Sequence, residues 1–211
     1  TDPYAPRLVG TLDSFGYAHG IEVSDTLVFL ANGYATWVIN IADPTIPRLI
    51  AVIPAHQGNT TYGYAVHDSI LYIAESYSGL RIFDISNPAV PESLGRIQAG
   101  LVYDVEVDFP YAYVTDVASE SGLVVIDVSD PEHPRRIGAA LTVDGARDVE
   151  LDFGFTYVAQ GFEGVRSFDI TDPTAPRMTG YYVTPSYANM LRVRGEKVFV
   201  ADEEGWLVLE Y

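Results

Sequence analysis

The chain has 211 residues, 48% of them hydrophobic and none of them cysteine, which is enough apolar material for a substantial core and rules out a disulfide-stapled scaffold. Its formal charge is -17, from 29 acidic and 12 basic residues, and Lys197 is the one lysine. Such a field repels phosphate backbones and anionic bilayers, so neither nucleic acid nor a membrane surface is an expected partner.

No apolar run approaches the roughly 18 to 20 residues of a membrane-spanning helix, and no basic-then-apolar leader opens the sequence. Beginning at Thr1 and not Met, the sequence is expected to be a mature or excised piece, with any export signal or anchor outside it. An acid excess with almost no lysine fits a saline or extracellular setting, and equally fits ordinary acidic solubility.

In chain order, the opening "TDPYAPRLV" recurs as "ADPTIPRLI" at 42–50, "SNPAVPESL" at 86–94, "SDPEHPRRI" at 129–137 and "TDPTAPRMT" at 171–179. The first prolines, Pro3, Pro44, Pro88, Pro131 and Pro173, are separated by 41, 44, 43 and 42 residues. A fixed period in that range marks a repeat architecture. Within the first full unit four apolar segments follow one another: "HGIEV" (19–23), "LVFLA" (27–31), "TWVINI" (36–41) and "RLIAVI" (48–53). They are short, rich in Val, Ile and aromatic residues, and bounded by Gly, Asp, Asn and Pro, which predicts strands.

The second segment returns as "ILYIA", "YAYVT", "FTYVA" and "KVFVA", apolar on both alternations, and such strands need cover on both faces. Stacking each four-stranded sheet on the next supplies that cover. The Asp-Pro motif ends each third strand, because the carboxylate caps nearby N–H groups while proline fixes φ and withholds a ladder donor.

Five units of about 42 residues predict an all-β fold, a five-bladed β-propeller of four-stranded antiparallel blades spanning 1–211 as one domain. The last blade is expected to combine about 188–211 with 6–12, closing the ring by pairing of the N-terminal strand with the C-terminal blade. An open solenoid is the competing architecture, and it would call for capping repeats.

The stretches "GLRIFDISNPAVPESLG" (79–95) and "GLVVIDVSDPEHPRRIG" (122–138) resemble the LVIVD-repeat family of bacterial and archaeal surface proteins. The resemblance covers essentially the whole chain. It implies a propeller, commonly exported and attached to the cell surface, with no general enzymatic activity and no catalytic positions to carry over.

Aligning the units against one another separates scaffold from free positions. At the entry to the inner strand the column reads His19, Tyr62, Tyr103, Arg147, Asn189, and the next reads Gly20, Gly63, Asp104, Asp148, Met190. Five polar and aromatic residues around a channel mouth form the default pocket of such a fold. Flanking loops on the same face add Phe15, Tyr17, Tyr34, His56, Tyr77, Phe162 and Tyr187. Tyrosine gives rigid amphipathic area suited to protein or sugar contacts, although tyrosines also simply fill strands.

Alternating carboxylates in "DVEVD" (104–108) and "DVELD" (148–152), with Glu22, are expected to form an ion network balanced by Arg192 and Arg147. Calcium at Asp104 and Asp148 is the sharper alternative, since oxygen-rich clusters suit that ion, but no D-x-D-x-D-G loop supports it. Asn32, Glu75, Asp116, Gln160 and Asp202 end the second strands and are expected to bond to adjacent loop backbone.

No nucleophile elbow, zinc-binding histidine pair or phosphate-cradling glycine loop occurs in the sequence. The expected function is therefore a non-catalytic recognition or scaffolding module of an exported or cell-surface protein, with a protein or glycan as partner and no cofactor. The alternative is a lyase or hydrolase using His19, Tyr62, Tyr103 and Arg147. It requires those four side chains to converge on one cavity.

Overall fold

The computed structural model describes residues 5–13, 16–118, 122–142 and 145–211. Among these residues nineteen strands form five antiparallel sheets in which consecutive strands are neighbours. Blade 1 contains β1 (Ala18–Ser24), β2 (Leu27–Asn32), β3 (Ala35–Asn40) and β4 (Arg48–Pro54). Blade 2 contains β5 (Tyr64–His67), β6 (Ile70–Glu75), β7 (Gly79–Asp84) and β8 (Glu92–Ile97). Blade 3 contains β9 (Val102–Asp108), β10 (Tyr111–Asp116), β11 (Leu123–Asp127) and β12 (Arg135–Ala140). Blade 4 contains β13 (Asp148–Asp152), β14 (Phe155–Ala159), β15 (Val165–Asp169) and β16 (Arg177–Tyr182). Blade 5 has three strands, β17 (Ala188–Val193), β18 (Lys197–Asp202) and β19 (Gly205–Glu210). The molecule is a five-bladed β-propeller, as the repeat predicts.

Its core lies between the blades. Phe29 of β2 shares a buried cluster with Tyr64, Leu71 and Ile73 of blade 2. Tyr72 does the same with Val105 and Val114, Tyr113 with Val149 and Val158, and Tyr157 with Leu191 and Val200. This arrangement explains the doubly apolar second strand: one face packs on the preceding blade and the other on the following one.

The outer strands carry a register shift at one repeated place, opposite Val38/Ile39, Ile82/Phe83, Val125/Ile126 and Ser167/Phe168. A bulge of this kind bends and twists the edge strand. At that same place Gly95, opposite Ile82, and Gly138, opposite Val125, ride on the carbonyl oxygens of Pro131 and Pro173 in the next blade, so tightly that a Cβ would collide with them.

The Asp-Pro turns fold as their chemistry dictates. Asp43 Oδ1 accepts from Thr45 N–H at 2.9 Å and from Thr45 Oγ1 at 2.6 Å, and Asp172 binds Thr174 in the same way. The carboxylate that ends the third strand is also engaged, Asp127 by Ser129 and Asp169 by Thr171. These hydrogen bonds hold Asp43, Asp127, Asp169 and Asp172 below the ordinary carboxylate range.

The pairing expected between 6–12 and the last blade is not among the ladders. Residues 6–13 form no strand, and β19 is the unpaired edge of a three-stranded sheet. The reason is positional, since the segment lies on blade 1, where Gly10 sits against the Pro44 carbonyl.

Candidate binding site at the channel mouth

The loops entering each inner strand are tied to the ends of the second strands, which places both on one face. Glu75 accepts from His56 N–H at 2.5 Å, Asp116 from Leu101 N–H at 3.0 Å and Asp202 from Ser186 N–H at 3.3 Å. Three of the five strand-ending residues thus bond to loop backbone as expected. Asn32 Oδ1 and both amide atoms of Gln160 are buried without a partner among the described residues. Glu75 is also paired with Arg81 at 2.7 Å, a buried ion pair that the sequence reading did not identify.

On this face His19, Tyr62, Tyr103, Arg147 and Asn189 line a single cavity of about 290 Å³. Close approach of the inner strands makes this possible, because a Cβ on Gly20 would meet the Tyr62 carbonyl and one on Gly63 would meet Asp104. The side chains stack around the ring. His19 and Tyr62 centroids are 5.3 Å apart with a 58° tilt, and Tyr62 and Tyr103 are 4.2 Å apart and nearly parallel at 14°.

Arg147 continues the ladder, with its guanidinium 4.7 Å from the Tyr103 centroid and 5.4 Å from that of Tyr187. Its Nε donates to Tyr187 Oη at 2.8 Å, and Phe162 meets Tyr187 edge-on at 4.9 Å. Each ring is fixed by its neighbours, so the collar is organised before any ligand arrives. Burial, with the Tyr103 hydroxyl as a lesser cause, pushes the Tyr62 phenol up and keeps it protonated.

Tyr17, Tyr34 and Tyr77 are exposed on the loops and do not line this cavity. His56 starts a short 3-10 turn (His56–Gly58) and is likewise outside the cavity. Phe15 lies outside the described residues.

Beneath the collar, carboxylates clasp one blade to the next. Asp104 Oδ2 accepts from Val149 N–H at 3.1 Å, and Asp148 Oδ2 from Leu191 N–H at 2.6 Å. Burial foremost, then the neighbouring Asp148, raises Asp104 well above the carboxylate range, and the two carboxyl groups are hydrogen-bonded to each other. Burial raises Asp148 less, to about 6, because Leu191 N–H and Arg192 favour its charge.

One layer deeper stand Glu22, Glu106, Glu150 and Arg192. Arg192 pairs with Glu150 at 2.6 Å and with Asp148 at 3.5 Å. Burial and the charges of Glu150 and Glu22 push Glu106 up to about 8. Burial alone would lower Arg192, but the surrounding carboxylates outweigh it and raise it.

The expected ion network therefore exists, with one correction. Arg192 balances the acids, whereas Arg147 turns away to the tyrosines. Asp104 and Asp148 use their oxygens on each other and on backbone N–H groups, and no group of three or more metal-binding side chains is placed to hold an ion among the described residues.

A stack of five blades around an acid-lined channel, with a polar and aromatic mouth, defines a repeat propeller with a small ligand-sized cavity. The LVIVD repeat profile matches residues 63–98, 99–142 and 145–184, more than half of the sequence, and the chain belongs to that family. No curated protein sequence matches it.

Among solved structures, a functionally unknown protein from Desulfotomaculum acetoxidans DSM 771 is similar at 15% identity with a TM-score of 0.79, over 94% of this chain and 70% of that one. A Lactobacillus plantarum protein gives 14% and 0.80, over 92% and 67%. The computationally designed Ika8 protein gives 11% and 0.70, and the 92% of this chain that aligns spans 58% of its length. Likeness at these identities establishes the propeller fold.

Proposed function

We propose that this propeller is a non-catalytic recognition module of an exported or cell-surface protein, binding a protein or glycan on its loop-rich face. Of the two ligand classes, the cavity best fits one acidic sugar residue of a glycan. At about 290 Å³ it sits at the small end of ligand pockets, with room for roughly a single ring.

The observation that carries this reading is Arg147. Its guanidinium is clamped between Tyr103 and Tyr187, spends Nε on a phenol, and makes no ion pair with a carboxylate among the described residues. A fixed guanidinium with free N–H groups at a cavity wall is the geometry that receives a carboxylate. Tyr62 and Asn189 add donors for ring hydroxyls.

The test is titration with matched neutral and uronate-bearing oligosaccharides. Binding should favour the uronates and fall at least tenfold in Arg147→Ala, while Tyr34→Ala is unaffected. Equal binding of both sugar classes, or an indifferent Arg147→Ala, would reject the acidic-sugar reading. Binding of a protein partner that survives Arg147→Ala would move recognition to the exposed loop tyrosines.

A second reading, a lyase, is favoured by the convergence of His19, Tyr62, Tyr103 and Arg147 on one cavity. It fits less well, because a phenol serving as base needs a lowered pKa and that of Tyr62 is raised. Formation of an unsaturated product from the uronates, abolished in His19→Ala, would support it.

A further inference from the structure

On the face of the Asp-Pro turns, opposite the collar, a second cavity of about 280 Å³ opens between blades 2 and 3. Its walls come from the turn between β5 and β6, from Phe109 in the turn between β9 and β10, and from Ser129 and Pro131 after β11. Tyr72 reaches the same cavity from the core between the two blades. It is 1% exposed, and its hydroxyl makes no hydrogen bond among the described residues. The equivalent hydroxyls of Tyr113 and Tyr157 have Asp108 and Tyr211 beside them. A buried phenol ordinarily has a partner, so the inner end of this cavity presents an unanswered polar group.

The other polar groups of the cavity are mainly acceptors. Asp68 holds its exposed carboxylate at the rim, with His67 Nε2 3.7 Å away. Ser129 Oγ donates its own hydrogen to Asp127 at 2.7 Å, which leaves its lone pairs to accept. Apart from His67, no basic side chain lines the cavity among the described residues. Phe109 lies parallel to His67, with centroids 5.0 Å apart and planes within 3°, and its half-exposed ring makes a flat wall. Three acceptors beside a flat aromatic wall suit a planar cation with several N–H donors and no acceptor, which is a guanidinium. An ammonium is a compact point charge and lacks the planar fork.

The surrounding charge acts in the same direction. On this face Asp84, Asp127 and Asp130 are held below the ordinary carboxylate range by hydrogen bonds to Ser86, Ser129 and His133. The turn one blade further round carries Phe153, 97% exposed and in the left-handed region at φ 41°, which a bulky side chain rarely adopts. Its counterparts in the other units are Asp25, Asp68, Phe109 and Gly195. An apolar ring held out into water next to this cavity suits a partner that brings an apolar residue along with its cation. A peptide segment does so, and a free small cation does not.

We propose that this cavity docks an arginine side chain carried on a peptide segment of a partner protein. The guanidinium lies along Phe109 and donates to Asp68, Ser129 and Tyr72, while a neighbouring apolar residue of the peptide covers Phe153. The site is separate from the collar and does not depend on the sugar reading there.

The probes are the capped peptide Gly-Leu-Arg-Leu-Gly and its lysine and citrulline counterparts, titrated into the isotope-labelled full chain. The arginine peptide should shift the backbone amide resonances of Asp68, Ser69 and Ser129 and leave that of Tyr103 in place. The lysine peptide should bind at least fivefold more weakly and the citrulline peptide at least tenfold. Asp68→Asn, at an exposed position, should weaken the arginine peptide at least fivefold. Tyr72→Phe should weaken it at least threefold without lowering the melting temperature, because the hydroxyl has no partner to lose. Equal binding of the arginine and lysine peptides, or shifts spread over the acidic surface with both variants indifferent, would reduce the effect to general charge attraction and overturn the proposal. So would the absence of any shift at millimolar peptide, or a Tyr72→Phe protein that melts lower, since the hydroxyl would then serve the fold.

Discussion

Replacing Glu106 by Gln should stabilise this protein, increasingly so as pH rises. Glu106 lies in the channel wall with Glu22 and Glu150, and its carboxyl is raised from the ordinary 4.5 to about 8, first by burial and then by those neighbouring charges. The unfolded chain releases this proton near pH 4.5, whereas the folded one keeps it until about pH 8. The stabilisation is therefore complete below about pH 4.5 and is lost progressively as pH rises through about 8.

At about 1.4 kcal/mol per pH unit, ionisation in the unfolded state costs the native state about 3 kcal/mol by pH 7. Glu22 and Glu150 share the same field, so about 1–3 kcal/mol is the expected gain on removing one member. For a chain of this size, at about 2–4 °C per kcal/mol, that gain corresponds to a melting temperature higher by roughly 2–12 °C. Urea unfolding of both proteins at pH 4.5, 6, 7 and 8.5 measures it. The curves should meet near pH 4.5 and diverge above. Parallel pH profiles, or a Glu106→Gln protein less stable than the parent at pH 8.5, would refute the argument that burial holds this proton.

Asp148→Ala should leave Leu191 N–H without its acceptor and Arg192 with one partner fewer, at a cost of about 1–3 kcal/mol in urea unfolding. Gly95→Ala drives a Cβ into the Pro131 carbonyl and should cost about 1–3 kcal/mol, while Gly180→Ala, which meets only Ser167 Oγ at 3.1 Å, should be far milder by thermal melting. Tyr64→Phe removes the 3.0 Å hydrogen bond to buried Thr36 Oγ1 and should lower stability by about 1 kcal/mol, checked by the same denaturation.

Much of the scaffold was legible because it is periodic. "TWVIN" and "RLIAVI" foretold β3 and β4 within a residue or two, and the Asp-Pro turns were readable because an Asx cap depends on residues two positions apart. The collar was legible as a column of residues but not as a stack. Whether Arg147 turns to Glu150 or to Tyr187 depends on the spacing between blades, and the repeat period contains no information about that. The clasp from Asp148 to Leu191 was hidden for the same reason, since it joins residues 43 apart through a backbone N–H that no sequence pattern marks. Glu75 and Arg81 form a buried pair because β6 and β7 are adjacent, but a Glu and an Arg six residues apart look unremarkable in a row of strands.

The channel layer formed by Glu22, Ala65, Glu106, Glu150 and Arg192 limits how symmetric such a molecule can become. A consensus version built from five copies of the third unit would point five glutamates at one axis, and one built from the fifth would point five arginines there. Five copies of the second unit, with Ala65 there, escape that repulsion, so an idealised version of this chain needs either an uncharged residue at this single position or a mixture of acidic and basic modules.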